Sequence, residues 1–118
     1  MKLPQQATRL CVYIGEDDRL HGRPLFEAIV EEARRQGLAG ATVLRGVSGF
    51  GANSRIKTSK ILMLSEDLPL LVEIVDAPDK IERFLPFVDE VLGEGLVTME
   101  PVTVLFYRHA DRLGRGRG

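Results

Sequence analysis

From Thr8 to Ile14 polar and apolar residues share out two sides of an extended chain, with Leu10, Val12 and Ile14 on one and Arg9, Cys11 and Tyr13 on the other. Alternation of this kind predicts a β-strand with one strongly apolar face. Beyond Gly15-Glu16-Asp17-Asp18 the period changes: Phe26, Ile29, Val30 and Ala33 recur at helical spacing, opposite Glu27, Glu31, Arg34 and Arg35. Pro24 suits the first position of that helix, where a missing N–H costs nothing, and Gly37 suits its end. A second strand is predicted from Ala41 to Val47, and Ile61 to Leu64 resumes its apolar character as a hairpin arm after a glycine-rich stretch. Leu70 to Asp76 forms the next strand. Pro78 opens a second helix with a stripe of Ile81, Phe84, Leu85, Val88, Val91 and Leu92, and Pro86 within it predicts a kink or break. Gly93-Glu94-Gly95 closes that helix. A last strand runs from Leu96 to Tyr107, where Pro101 calls for a bulge or an edge position.

The order strand, helix, strand, strand, helix, strand, with right-handed crossovers, predicts an α+β fold. It is the ferredoxin-like βαββαβ sandwich, a four-stranded antiparallel sheet with two helices on one face. The other face has no helix to cover it, yet Cys11, Tyr13, Val43 and Leu71 mix with Arg9 on what is expected to be the open side. A sheet face that apolar predicts self-association.

Composition narrows the class. A chain of 118 residues, 44% hydrophobic and 28% charged, suits one globular domain, here residues 1–109, followed by a flexible Arg/Gly-rich tail at 110–118. No apolar run reaches the length of a membrane span, so no membrane insertion is expected, and Met1 to Gln6 lack the features of a secretory signal. A cytoplasmic location is the expectation. The single cysteine, Cys11, excludes an internal disulfide framework. A net charge of −1 and a pI near 6.1 give no field that would attract nucleic acid, so no stable nucleic-acid partner is expected.

Candidate chemistry gathers in residues 46–60, where Gly46, Gly49 and Gly51 precede Arg55, Lys57 and Lys60. Glycines let backbone N–H groups approach an anion and cations supply charge; the same glycines also suit a turning hairpin loop. Two other classes stand beside a phosphate or nucleotide site. Glu16, Asp17, Asp18 and His21 have the groups that a small metal-dependent enzyme needs. They equally form an acidic entry to a helix N-terminus. With only His21 and His109 available, no Ser/His/Asp or Cys/His set can be assembled, so no catalytic residue, no metal ligand and no enzyme activity is expected. Weak nucleic-acid binding rests on the tail cations Arg112, Arg115 and Arg117.

The runs Tyr13-Ile14-Gly15-Glu16, Pro24-Leu25-Phe26-Glu27-Ala28, Gly37 through Gly46, Leu64 through Pro69 and Gly95-Leu96-Val97-Thr98 resemble an uncharacterised bacterial and archaeal branch of the PII-like signalling proteins. Gly49-Phe50-Gly51 is similar to the Gly-Phe-Gly at the base of the long T-loop of nitrogen-regulatory PII proteins. Gly93-Glu94-Gly95 resembles the Gly-x-Gly of their B-loop. The resemblance implies a homotrimer in which these loops, from neighbouring subunits, enclose an adenine nucleotide. It also implies a loop at 48–60 that signals to a protein partner such as a transporter or enzyme. Leu96 stands where PII proteins carry a phosphate-binding lysine, which implies AMP or ADP rather than ATP. The candidate ligand contacts are Arg45, Gly46, Gly49, Gly51, Arg55, Lys57, Gly93, Gly95 and Arg108.

Overall fold

The computed structural model describes residues 3–51, 67–110 and 116–117. The predicted arm at Ile61 to Leu64, and the candidates Arg55 and Lys57, lie outside the described residues. Strand β1 (Gln6–Gly15) leads through a two-residue hairpin, β2 (Arg19–Leu20) and β3 (Arg23–Pro24), into helix α1 (Leu25–Arg35). Then come β4 (Thr42–Arg45), β5 (Pro69–Asp76), α2 (Pro78–Val91) and β6 (Leu96–Thr103). The four long strands form one sheet in the order β4-β5-β1-β6, all neighbours antiparallel. Each crossover thus skips one strand, which is the ferredoxin-like arrangement.

The core is the layer between this sheet and the two helices. Leu10, Val12 and Ile14 of β1 and Leu70, Val72 and Ile74 of β5 point into it, meeting Ile29 and Ala33 of α1 and Ile81, Phe84 and Val88 of α2. Asp76 is buried at its margin, where its carboxylate accepts hydrogen bonds from the backbone N–H groups of Ala39 (2.8 Å) and Ala77 (2.6 Å). Burial of that charge is offset by two backbone donors, which tie the α1–β4 turn to the end of β5.

Local differences from the predicted elements have physical reasons. Pro24 is the N-cap of α1 rather than its first residue, because its extended backbone (ψ 132°) pairs with Arg19 in the small hairpin. Gly37 ends α1 as expected. At φ 79° it donates to the carbonyl of Arg34, while Leu38 donates to Ala33, the paired bonds of a Schellman turn. Helix α2 is not broken at Pro86. Pro86 and Glu82, whose carbonyl loses its donor, both lie on the exposed face, where water can take the missing partner's place. Pro101 occupies the edge strand β6 as predicted, without a bulge, since the register with β1 is continuous from Gln6↔Thr103 to Tyr13↔Leu96. The strand itself stops at Thr103, short of Tyr107. Beyond it, His109–Ala110 pairs with Gly116–Arg117, β7 and β8, a short ladder that joins the end of the predicted domain to the predicted tail.

Candidate functional site

The ends of three strands build a cleft. Gly15 faces Pro69 across the β1–β5 pairing, and Tyr13 faces Leu96 across β1–β6, so the last turn of β1 lies between the start of β5 and the start of β6. The backbone N–H of Gly46 donates to the carbonyl of Pro69 (2.7 Å), continuing the β4–β5 ladder by one residue and directing the chain over this end of the sheet. Phe50 and Gly51 are thereby brought opposite Glu94, Gly95 and Leu96. Together with Tyr13, Ile14, Gly15, Asp18, Asp67 and Pro69 they enclose about 530 Å³.

Gly95 is fixed by geometry. It sits at φ 146°, and a Cβ there would approach the carbonyl oxygen of Tyr13 to 2.5 Å. Only glycine allows the turn after α2 to lie this close to β1. Two aspartates shape the opposite wall. Asp18 accepts a hydrogen bond from the Gly15 N–H (3.0 Å), and Asp67 accepts one from the Asp17 N–H (2.9 Å). Both carboxylates therefore hold the loop after β1 while facing the cleft.

The lining has two characters. Tyr13, Phe50, Ile14, Pro69 and Leu96 offer aromatic and aliphatic surface; Asp18, Asp67 and Glu94 offer acceptors, and no described lining residue is cationic. Such a surface suits a flat ring with N–H or O–H donors, while a phosphate chain needs cations or a metal ion from elsewhere. A larger, more open depression of about 730 Å³ lies between the β2–β3 hairpin and α1, beside Leu20, His21 and Phe87. Four of its charged residues are paired with one another: Arg23 with Glu31 at 2.8 Å and Arg35 with Glu32. The first pair holds the Glu31 carboxyl below its usual range; hydrogen bonds from Arg35 and Gln36 bring Glu32 down to about 2.

The seven candidate ligand residues that are described do not all gather at the cleft. Gly51 and Gly95 line the cleft, Gly93 lies in the adjoining turn, and Gly49, like Gly46, approaches Pro69. Arg45 is turned toward Glu16 (3.2 Å) instead of the cleft. Arg108 sits past the far end of β6, stacked over Phe106 at 4.7 Å. The eight residues of β6 separate it from Gly95, about 25 Å of extended chain. Within one chain Gly51 and Gly95 already line the same cleft. They meet because β1 lies between β5 and β6, whose starts flank its end. Tyr13, Asp18 and Asp67 were missed as cleft residues; the pairing of Tyr13 with Leu96 and the aspartates flanking strand ends were the available signals.

The same chain matches, over residues 7–104, the family model DUF190, an "Uncharacterized ACR, COG1993". This protein belongs to that family. It is 38% identical over 99 residues to a UPF0166 protein of Aquifex aeolicus, covering 82% of this chain and 91% of that one. A UPF0166 protein of Methanocaldococcus jannaschii is 34% identical over 93 residues, covering 78% and 85%. Among solved structures, the fold is similar to CPII of Thiomonas intermedia K12 bound to ADP and bicarbonate. The TM-score is 0.59 at 18% identity, over 84% of this chain and 88% of that one. A second structure of CPII, described as a nitrogen regulatory PII-like protein bound to ADP, AMP and bicarbonate, gives a TM-score of 0.55 at 16% identity, over 84% and 92%. The DUF190 chain thus has the PII-like ferredoxin fold.

Proposed function

We propose that this DUF190 protein is a PII-like regulatory module. It binds an adenine nucleotide, AMP or ADP in preference to ATP, in the cleft between residues 13–18, 50–51, 67–69 and 94–96, and works as a cytoplasmic homotrimer without enzymatic activity. The observation that carries this reading is the convergence of Gly51 and Gly95 on one aromatic-lined cleft at the end of the sheet. The CPII structures of the same fold, with ADP, AMP and bicarbonate bound, support the ligand class. Tyr13 and Phe50 supply surface for the base, and the carboxylates of Asp18, Asp67 and Glu94 accept from its amino group or from ribose hydroxyls. A cleft of this charge favours ligands with few phosphates or ones carrying a cation. Since the loop at 48–60 starts at the cleft wall, ligand contact at Phe50 and Gly51 biases its arrangement for a protein partner.

The test is a calorimetric and thermal-shift panel of AMP, ADP and ATP, with and without magnesium and bicarbonate. Selective binding to the folded state raises the midpoint in proportion to the logarithm of ligand concentration. AMP or ADP is expected to shift it most, and a flat response to all three nucleotides would remove the ligand claim. The metal-dependent enzyme is the weaker reading, because its groups diverge. Glu16 pairs with Arg45, Asp18 accepts from Gly15, and His21 belongs to the hairpin beside α1.

A further inference from the structure

Carboxylates and no described cation line the cleft, so a phosphate group on its ligand needs a cation from just outside it. Arg45 stands at that border. It is the last residue of β4 and lies in register with Leu70, whose side chain points into the core layer. Since side chains directly across a sheet share a face, Arg45 leaves the sheet on the helix side, as does the cleft residue Ile14. The next residue, Gly46, is bonded to the carbonyl of Pro69 in the cleft wall. Here the Nε of Arg45 meets Oε2 of Glu16 at 3.2 Å. Glu16 is held in place by its own N–H, which donates to the carbonyl of Leu68 (2.8 Å), and in sequence it lies between the cleft residues Gly15 and Asp18. The pair therefore spans the start of β5 and ties the loop after β1 to the point where the chain leaves β4.

This tie is weak by construction. The two side chains are 44% and 29% exposed, and ion pairs so open to water contribute little, so either partner is rehydrated at small cost. A phosphate group carries more negative charge than a carboxylate and one more acceptor oxygen, and the planar guanidinium fork suits it. A phosphate that enters the cleft thus competes with Glu16 for Arg45 on favourable terms. An uncharged nucleoside offers Arg45 nothing in exchange and leaves the pair closed.

We propose that Glu16 and Arg45 form an exchangeable pair through which the cleft selects a phosphorylated ligand: Arg45 leaves Glu16 to contact the phosphate, and Glu16 is the resident competitor that the phosphate displaces. This rests on the nucleotide reading above and names the residues that read the phosphate. One guanidinium serves one phosphate group, in keeping with a ligand of few phosphates. The exchange also gives the protein two states for one bound base. A phosphorylated ligand unties the loop after β1 from the end of β4, while the bare nucleoside leaves them joined.

The experiment is isothermal titration of AMP, ADP and adenosine into the full chain and into Glu16→Gln, Arg45→Gln and the double variant, with far-UV circular dichroism to confirm the fold. Arg45→Gln is expected to weaken nucleotide binding about tenfold or more, through loss of a charge-assisted contact. Glu16→Gln frees Arg45 in advance and is expected to tighten nucleotide binding by about three- to fivefold, the scale of an exposed pair. In the Arg45→Gln background Glu16→Gln is expected to add nothing, because Glu16 acts only through Arg45. Adenosine is expected to give the same response with all four proteins. Arg19 follows Asp18 but belongs to the β2–β3 hairpin, so Arg19→Gln serves as the control for loss of a nearby charge and is expected to change nucleotide affinity less than about twofold. A parent that binds neither AMP nor ADP overturns the nucleotide reading and this inference with it. A parent that binds them while Arg45→Gln binds equally well overturns the exchange alone. The exchange also falls if Glu16→Gln tightens binding as much without Arg45 as with it, which is simple charge repulsion, or if Arg19→Gln loses as much as Arg45→Gln. Should Arg45→Gln lose its fold, Arg45→Lys takes its place, keeping the charge but giving up the two-pronged contact, with weaker nucleotide binding again expected.

Discussion

The two faces of the sheet use alternate residues of the same strands and come to opposite ends. On the helix side, Leu10, Val12, Leu70 and Val72 are buried by α1 and α2 of their own chain. On the other side, Tyr13 and Leu44 remain exposed beside an ion-paired Arg9. Since strand side chains alternate, one set of backbone bonds serves both faces, and what differs is that the chain's own helices cover only one of them. The first face is completed by local sequence, through two amphipathic helices that return to it. The second carries exposed apolar side chains beside an ion-paired Arg9, and neither helix returns to it. The cleft lies at the seam, bounded by Ile14 from the covered face and by Tyr13 and Leu96 from the open one.

The contrast breaks most sharply on the covered side. Phe84 is fully buried among the helix-face residues and packs against Phe87 with ring centroids 5.7 Å apart. Phe84→Ala is expected to lower unfolding free energy by about 3–5 kcal/mol, measured by denaturant titration, through lost transfer energy and an unfilled cavity. A loss under about 1 kcal/mol would mean that this layer is not the core. At the seam, Gly95→Ala forces a Cβ against the carbonyl of Tyr13 at a backbone angle that side chains avoid. It is expected to cost about 1–3 kcal/mol and to abolish the nucleotide-induced thermal shift together. Full stability with full ligand response would show that the turn can move away from β1 freely.

Much of this was legible from periodicity. The alternation at Leu10, Val12 and Ile14 and the helical stripe from Ile81 to Leu92 each report on neighbours within their own element, and those elements formed where expected. What escaped is set by contacts between distant residues. Arg45 reads as a phosphate ligand among glycines, yet β4 places it beside Glu16, which lies before α1 in the chain. Arg9 reads as an ordinary polar strand position, because Glu73 and Glu100 become its partners only through the sheet order β5-β1-β6. The cleft was half legible: Gly51 and Gly95 marked its two rims, whereas Asp18 and Asp67 look like loop acids until the ends of β1 and β5 are paired.

The open side gives the smallest effect on the fold and the sharpest test of the comparison. Leu44 lies on the short edge strand β4, opposite Leu71, with half of its surface in water. In the isolated chain, Leu44→Glu removes little buried area and places its carboxylate in solvent, so unfolding free energy at low concentration should change by no more than about 0.5 kcal/mol. If the open side is covered by a second copy, the same substitution puts an unpaired charge into the contact. Stability of an assembling protein rises with its own concentration, because association draws on the folded state alone. The parent's thermal midpoint is therefore expected to climb over a roughly hundredfold concentration range, while that of Leu44→Glu stays level. Parallel behaviour of the two proteins would mean that the second face is simply a solvated surface, and the two sides of the sheet would differ in exposure but not in role.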